Sequence, residues 1–287
     1  MTFTFKKAVR SESKLRLALE GISGSGKTYS ALRLAKGLGG KIAVVDTERG
    51  SASLYSGLPD IPEFDVLELT DSFSPEVYVD AIHAAEEAGY NVIILDSITP
   101  EWSGKNGCLE LADLYSKGNS LAGWKKVTPM HRKFLDTIVN SKCHIIATMR
   151  CKAAVGLVDG KVKKAQDKTE QRDGTEYEFT VVLSIDRDSH SAVASKDRTG
   201  LFKDPELISE ETGKKLLAWL SDAPTLSPEI QADAEKAAQL GVAYIKSFMT
   251  GLKKDNPEQH ALFSDSEKRR LYAIARKADL DTTQQGE

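Results

Sequence analysis

The stretch that decides the fold reads Gly21, Ile22, Ser23, Gly24, Ser25, Gly26, Lys27, Thr28. It fits the pattern GxxxxGK[ST] between a strand-like apolar run and a helical run, which is the context that a phosphate-binding loop requires. Glycines let backbone N–H groups close around phosphate oxygens, and the following helix adds the positive end of its dipole. Lys27 then reaches the β- and γ-phosphates, and the Thr28 hydroxyl binds Mg²⁺. The loop therefore predicts an ATP site with Mg²⁺ as the second cofactor.

A second signal is a strand-like run at residues 91–96 (NVIILD), which ends in a carboxylate. Asp96 at this position is predicted to hold the Mg²⁺ from the side opposite Thr28. The next residue is Ser97, not the glutamate that AAA+ proteins use there to polarise water. We therefore expect another carboxylate to act as base. Glu48 is our candidate, because it follows a strand whose end we expect beside the phosphate loop. The alternative is that Glu48 only pairs with Arg49 at the surface.

The chain around these motifs predicts an α/β fold with a mostly parallel sheet. Short apolar runs predict strands at residues 15–19, 42–45, 65–69, 92–95 and 144–147. Apolar residues at intervals of three and four predict helices at residues 29–38, 75–88 and 121–139. Residues 176–186 and 190–196 alternate as an antiparallel hairpin would, and residues 210–220 follow as a helix.

The domain prediction has three parts. Residues 1–13 form an N-terminal segment, residues 14–221 the ATPase core, and residues 229–281 a small helical accessory domain after a linker at 221–228. The accessory domain is predicted to consist of two amphipathic helices joined by residues 255–265. Its 9 basic and 10 acidic side chains from residue 223 onward do not indicate a strongly basic surface.

The composition excludes several classes of protein. The chain has 287 residues, is 40% hydrophobic and carries a formal net charge of −3. No apolar run approaches the roughly 18 residues of a membrane helix, so no membrane partner is expected. The three cysteines form no CxxC pair and the five histidines show no metal-ligand spacing, so the thiols are interpreted as reduced and cytoplasmic rather than zinc-binding.

Several of these stretches resemble RecA-like recombinases, over most of residues 12–203. Glu48 stands after the strand where those proteins carry their catalytic glutamate, and residues 91–97 resemble their metal-binding strand, serine included. Residues 145–150 resemble the strand that ends in a residue sensing the γ-phosphate, with Thr148 in place of a glutamine. Residues 176–187 and 194–200 resemble the two late strands. The resemblance implies that Lys196 and Arg198 reach the γ-phosphate of a neighbouring subunit.

Three runs are closer to a narrower group, the phage-encoded RecA-like ATP-binding proteins. They are residues 46–53 (DTERGSAS), 171–178 (QRDGTEYE) and 195–202 (SKDRTGLF). This resemblance implies an Mg²⁺-dependent, DNA-dependent ATPase that assembles on single-stranded DNA, as a ring or a filament, and promotes annealing and homologous recombination. It also implies the host cytoplasm as location and a single-strand binding protein as a further partner.

RecA-like proteins bind single strands through two loops, and the second corresponds to residues 151–173. From Arg150 to Arg172 there are seven basic and three acidic side chains, a local excess that suits phosphate binding. The alternative is a solvated loop without a ligand. Trp102, in the earlier loop region, is a candidate for stacking on bases, whereas Trp124 fits a core position better. The predicted DNA-binding residues are Arg150, Lys152, Lys161, Lys163, Lys164, Lys168, Arg172 and Trp102.

Two predictions concern the remaining contacts. Phe5 and Ala8 match the FxxA pattern through which related recombinases dock onto a neighbour, and the alternative is that this segment packs on its own core. Tyr29 either stacks on the adenine or packs under the first helix.

The competing functions for the whole chain are a P-loop phosphotransferase, a nucleotide-dependent scaffold that does not hydrolyse ATP, and a DNA motor.

Overall fold

The computed structural model describes residues 13–152, 155–158, 161–164, 168–221 and 226–284. Strands and helices alternate through the first half of the chain, as the apolar runs predict. The strands are β1 (Arg16–Gly21), β2 (Ile42–Asp46), β3 (Asp65–Glu68), β4 (Val92–Asp96), β5 (His144–Lys152), β6 (Val155–Val158), β7 (Lys161–Lys164), β8 (Lys168–Thr169), β9 (Val181–Ile185), β10 (Ser191–Asp197) and β11 (Glu206–Leu207). The helices of this part are α1 (Lys27–Leu38), α2 (Pro75–Glu87), α3 (Thr99–Ser103), α4 (Cys108–Ser116), α5 (Ser120–Asn140) and α6 (Glu210–Leu220).

Within the described residues, the main sheet has the order β11-β10-β9-β1-β5-β4-β2-β3. Strands β9, β1, β5, β4, β2 and β3 are parallel, and β10 and β11 continue the sheet antiparallel. The carboxyl ends of the parallel strands therefore meet at one edge, which is where ligands bind in open α/β sheets. The register places Gly21 beside Arg150 and Asp46 beside Asp96 at this edge. The prediction of an α/β fold with a mostly parallel sheet is confirmed.

Helices cover both faces of the sheet, so its central strands are buried on both sides. One apolar cluster joins β1 and β2 to α1 and α6, and the other joins β4 and β5 to α2 and α5. Helices α1 and α6 approach closely because Gly37 and Gly213 face each other; a Cβ on Gly37 would lie 2.0 Å from the carbonyl oxygen of Glu210. This packing fixes α1, and with it the loop that precedes α1.

Two predictions for the second half of the core need correction. Residues 176–186 were expected to be one strand, but only Val181–Ile185 is extended, because Thr175–Glu178 forms a 3-10 helix after Gly174 with φ +96°. The antiparallel pairing of this strand with the next one is as expected. Residues 151–173 were expected to be a loop. They instead contribute the hairpin β6–β7 and the short strand β8, which pairs antiparallel with β5.

The chain divides into two compact units after Ser221. The second unit was predicted to have two helices, but its described residues form four: α7 (Pro228–Gln239), α8 (Val242–Asp255), α9 (Pro257–Ala261) and α10 (Asp265–Gln284). Gly241, with φ +116°, separates α7 from α8, and Asn256 caps α9 by accepting a hydrogen bond from the Gln259 N–H. Small and apolar side chains, Ala234, Ile245, Met249, Phe263 and Leu271 among them, form a separate core there.

Among the described helices, none is long and apolar enough to cross a membrane. The predicted docking residues Phe5 and Ala8 lie outside the described residues.

Candidate active site

The phosphate loop connects β1 to α1 and has the backbone shape that its glycines allow. Gly24 and Gly26 adopt φ +80° and +89°, a conformation that other residues adopt at a cost. A Cβ on Gly21 would lie 2.5 Å from the Ser25 hydroxyl oxygen, so this position has no room for a larger residue. The Lys27 ammonium donates hydrogen bonds of 2.9 Å to the carbonyls of Gly21 and Ile22, which holds its charge inside the loop. The loop thus has the cradle and the cation that a triphosphate requires.

Lys27 is buried, and its surroundings act on its charge in two directions. Burial lowers the pKa of its ammonium, whereas the nearby carboxylates of Glu48 and Asp96 act to raise it. Cys151 acts in the same direction as these carboxylates, and the guanidinium of Arg150 acts against them. Three charged groups therefore lie near enough to Lys27 to shift the pKa of its ammonium: Glu48, Asp96 and Arg150.

The side chains of Thr28, Asp96 and Thr148 form one connected group at the carboxyl ends of β4 and β5. The Thr28 hydroxyl donates to Asp96 Oδ2 at 2.6 Å, and the Thr148 hydroxyl donates to the other carboxylate oxygen. Burial raises the pKa of Asp96, and the hydrogen bonds from Thr148 and Thr28 oppose this shift. A hydroxyl and a carboxylate oxygen are hard ligands of the type that Mg²⁺ prefers, so these residues fit the ion that the motif implies.

Thr148 was expected to sense the γ-phosphate. Its side chain is fully buried and its hydroxyl is committed to Asp96. Its contact with the site therefore runs through the carboxylate of Asp96, the predicted metal ligand.

Glu48 lies further from the phosphate loop along the sheet than the sequence predicts. The end of β2 does not lie beside the phosphate loop, because β4 and β5 stand between β2 and β1. Asp46 shapes the turn after β2 by accepting hydrogen bonds from the backbone N–H groups of Glu48 and Ala52 at 2.5 and 3.1 Å. The turn carries the Glu48 carboxylate back toward β5. Among the described residues, its ion pair is with Arg150, not with Arg49, the partner in the alternative interpretation.

Arg150 was predicted to bind DNA, and its side chain pairs with Glu48, the predicted base, near Lys27 of the phosphate loop. It is the β5 residue in register with Gly21, and its Nε donates to Glu48 Oε1 at 2.9 Å. Its backbone N–H donates to the Thr99 hydroxyl, which anchors it at the start of α3. The sequence analysis did not predict this ion pair with Glu48. The strand pattern at residues 145–150 does place Arg150 at the carboxyl end of the predicted strand.

The turn between β9 and β10 also contacts the phosphate loop, which the sequence did not indicate. His190 has φ +55°, and its Nδ1 lies 3.1 Å from the Ser25 carbonyl oxygen. A Cβ on Gly24 would lie 3.9 Å from the Arg187 side chain. A histidine and an arginine therefore flank the loop from the strand hairpin that follows β1 in the sheet.

Lys196 and Arg198, predicted to act on a neighbouring subunit, lie together at the end of β10. The Lys196 ammonium donates hydrogen bonds of 2.8 Å to the carbonyls of Glu176 and Tyr177. Arg198 donates to the Tyr177 carbonyl at 3.5 Å. Burial and the adjacent Arg198 lower the pKa of Lys196. Both cations are thus held by backbone carbonyls of their own chain in exposed contacts.

The other predicted DNA-binding residues fall into two groups. Lys152 pairs with Glu170 at 3.0 Å and Lys168 with Asp173 at 3.7 Å, both on the surface. Lys168 and Arg172 line a groove of about 360 Å³ together with Lys196. The backbone of Lys161, Lys163 and Lys164 forms β7, and their side chains lie outside the described part of the structure.

Two aromatic residues have contacts that limit their predicted roles. Trp102 stacks on Trp124, with ring centroids 5.5 Å apart, so one face of its ring is already covered by another indole. The Tyr29 hydroxyl donates to Asp60, and its ring packs at 5.5 Å from Tyr55. Of the two alternatives for Tyr29, packing next to α1 is the one that its contacts support.

Comparison with known proteins agrees with this geometry. The family model described as an AAA domain matches residues 13–209. This range covers more than half of the chain and includes the phosphate loop, Glu48, Asp96 and Arg150. No curated protein matches the chain. The glycine cradle, the enclosed Lys27 and the Thr28–Asp96 pair are the parts of a nucleotide-binding ATPase, and the chain belongs to the AAA domain family of P-loop ATPases.

Proposed function

We propose that this ATPase is RecA-like and Mg²⁺-dependent, binds single-stranded DNA, and promotes annealing and homologous recombination as an oligomer. The observation that carries the proposal is the course of β5. The strand leaves the nucleotide site at Arg150 and continues to Lys152, where β8 pairs with it, and the lysine-rich hairpin β6–β7 stands between these two strands in the chain. One strand thus joins the proposed ATP site to the proposed DNA site.

ATP binding rests on the loop and on Lys27. Backbone N–H groups of the loop surround the phosphates, and the ammonium balances the charge of the β- and γ-phosphates. Thr28 and Asp96 would hold the Mg²⁺, whose charge would stabilise the negative charge that develops on the transferred phosphoryl group. Thr148 keeps the Asp96 carboxylate oriented by donating a hydrogen bond to it.

Hydrolysis requires a group that orients water and accepts its proton. Glu48 is partly exposed, and only its Oε1 bonds to Arg150, so Oε2 is available to a water molecule. Arg150 fixes the carboxylate and adds positive charge beside Lys27. Positioned charge of this kind stabilises a phosphoryl-transfer transition state.

Assembly would complete the site through Lys196 and Arg198. Both cations now donate to backbone carbonyls of their own chain, and a γ-phosphate from a neighbouring subunit offers a stronger, charged acceptor. Hydrolysis would then depend on contact between subunits. This dependence would let DNA control turnover by gathering subunits along a strand.

The decisive experiment measures ATP turnover with and without single-stranded DNA over a series of salt concentrations. We expect stimulation at low salt that declines as salt rises, because phosphate contacts release counterions. Glu48→Gln should retain ATP binding and lose turnover by about 10²- to 10⁴-fold, the range for a general base. A scaffold that does not hydrolyse ATP would keep its activity in this variant.

The DNA part is tested by charge reversal in the hairpin. Lys163→Glu with Lys164→Glu should weaken DNA binding, and the matched double reversal at Lys253 and Lys254, adjacent lysines of α8, should not. If DNA neither binds nor stimulates at low salt, recombination is the wrong function and the ATPase remains.

A further inference from the structure

Three side chains with metal-binding atoms lie together outside the nucleotide site. Glu101 comes from α3, Cys108 is the first residue of α4, and His131 lies in the middle of α5. Cys108 Sγ is 3.1 Å from Glu101 Oε1, and His131 Nδ1 is 3.0 and 3.3 Å from the two oxygens of the same carboxylate. One ligand atom from each residue lies within 4.8 Å of the other two. We call this group the Glu101–Cys108–His131 cluster.

The cluster is buried, which makes its charge important. Glu101 and Cys108 are 0% exposed and His131 is 2% exposed. A buried carboxylate needs compensating charge or several hydrogen bonds, and here it accepts from the thiol and from His131 Nδ1. The other ring nitrogen, His131 Nε2, is buried without a hydrogen-bond partner among the described residues. Because a carboxylate can only accept, the imidazole proton lies on Nδ1 when no metal is bound.

The donor set indicates which metal would fit. A thiolate, an imidazole nitrogen and a carboxylate are ligands of Zn²⁺, whereas Mg²⁺ takes oxygen ligands. Zn²⁺ with one thiolate, one carboxylate and a neutral imidazole has no net charge, which suits a site closed to water. Since both carboxylate oxygens face His131 Nδ1, Glu101 can supply two of the four donor atoms of a structural site.

We propose that Glu101, Cys108 and His131 form a structural Zn²⁺ site that fastens α3 and α4 to α5. When Zn²⁺ enters, the Cys108 thiol proton leaves to solvent and the sulfur binds as thiolate. The imidazole proton moves from Nδ1 to Nε2, so that the Nδ1 lone pair binds the metal. With Zn–S near 2.3 Å and Zn–N near 2.0 Å, the three side chains need only small movements.

The surroundings of the cluster favour a structural role. Apolar side chains of α4 and α5, Leu111, Ala112 and Val127, form a small core beside it, and Trp102 lies 5.7 Å from the His131 ring. Helix α3 is only five residues long, too short to be stable by itself. A metal bound there would hold the segment that directly follows the Asp96 strand. This inference does not depend on the DNA function proposed above.

The test uses the full chain without a polyhistidine tag, stripped with a chelator and titrated with Co²⁺ as a probe for Zn²⁺. We expect one equivalent to bind below about micromolar concentration, with the ultraviolet charge-transfer band of a thiolate–cobalt bond. Cys108→Ser should lose this band, and Cys143→Ser, a second buried cysteine whose Sγ donates to the Tyr90 carbonyl, should keep it. Zn²⁺ should then displace the Co²⁺, and Mg²⁺ should not.

Two results would overturn the proposal, one in the unmodified protein and one in the Cys108→Ser variant. If it gives no thiolate–cobalt band, or if the band persists in Cys108→Ser, the cluster is a hydrogen-bonded group and not a metal site. If Cys108→Ser does not fold, His131→Asn replaces it, with retention of the band again refuting the proposal. A melting temperature that rises with Zn²⁺ in the unmodified chain and in Cys143→Ser supports it, because a ligand of the native state stabilises that state.

Discussion

Replacing Arg150 by alanine distinguishes two roles, the DNA contact that the sequence predicts and the contribution to ATP hydrolysis that we propose from its pairing with Glu48. The substitution removes the guanidinium that bonds to Glu48 at 2.9 Å and that affects the charge of Lys27. It leaves the hydrogen bond from the backbone N–H to the Thr99 hydroxyl, so the strand itself keeps its anchor. The substitution therefore removes the positive charge beside Glu48 and Lys27 and keeps the backbone hydrogen bond of β5.

The expected effects on stability and on catalysis differ in size. The side chains of Arg150 and Glu48 are 44% and 30% exposed, and an ion pair of this kind contributes about 0.2–1 kcal/mol. The melting temperature should fall by less than about 4 °C, because 1 kcal/mol shifts a domain of this size by about 2–4 °C. The rate at saturating ATP should fall by about 10²- to 10³-fold, as when a preorganised donor is removed from a transition state.

The assay is steady-state ATP turnover without DNA, with Lys152→Ala as the control. Lys152 lies two residues further along β5, pairs with Glu170 and is 73% exposed. We expect its loss to leave DNA-free turnover unchanged. If Arg150→Ala hydrolyses ATP at the normal rate without DNA, and loses only DNA affinity, then Arg150 belongs to the DNA interface and our assignment is wrong.

Three further predictions concern the sheet and the helices that hold the site. Gly37→Ala should destabilise the core by about 1–3 kcal/mol in urea unfolding, because its Cβ would lie 2.0 Å from a carbonyl oxygen of α6. Gly251→Ala, a helical glycine with nothing within 4 Å, should be stabilising instead. Thr148→Val should lower the free energy of unfolding by about 1.5–3 kcal/mol in urea unfolding, since Asp96 loses a hydrogen bond to a charged group, and unchanged stability would refute this role. Burial, together with the charges of Lys14 and Arg16, lowers the pKa of His144 from 6.5 to about 4. Between pH 6.5 and 4 the unfolded chain therefore binds a proton that the folded protein does not, and the free energy of unfolding should fall by about 3 kcal/mol over this range. His144→Asn should flatten this pH dependence, and an unchanged slope would contradict it.

The fold could be predicted from the sequence because its signals are local. The observed β1 and β4 lie within two residues of their predicted bounds, and α6 begins and ends where its periodicity indicates. Strand β5 begins where predicted and continues to Lys152, five residues beyond the predicted end at 147. The phosphate loop is equally local, since eight consecutive residues carry the pattern. The hairpin β6–β7 also has a local signal in the sequence, because Asp159-Gly160 is a dipeptide that favours two-residue hairpin turns. The high charge of the stretch favours a loop, and this weaker signal points to a hairpin.

The site could be predicted only in part, because several of its contacts depend on the order of strands in the sheet. Glu48 and Arg150 are 102 residues apart in the chain. Their pairing depends on β2 and β5 being separated only by β4 in the sheet, and on the turn that Asp46 shapes after β2. The Glu101–Cys108–His131 cluster has spacings of seven and twenty-three residues, which match no metal motif. Only the packing of α3, α4 and α5 brings it together. Tertiary contacts of this kind leave no periodic trace in the sequence.

The alternation of side chains along β5 gives the proposed coupling between DNA and ATP a physical basis. Thr148, Arg150 and Lys152 stand at every second position and so share one face of the strand. They contact Asp96, Glu48 and Glu170 in turn, which are the proposed metal ligand, the proposed base and a residue directly after β8. A shift of β5 relative to its neighbouring strands would alter all three contacts together, because the three side chains stand on one strand. Hydrolysis and DNA binding would then be coupled without any contact between the two ligands.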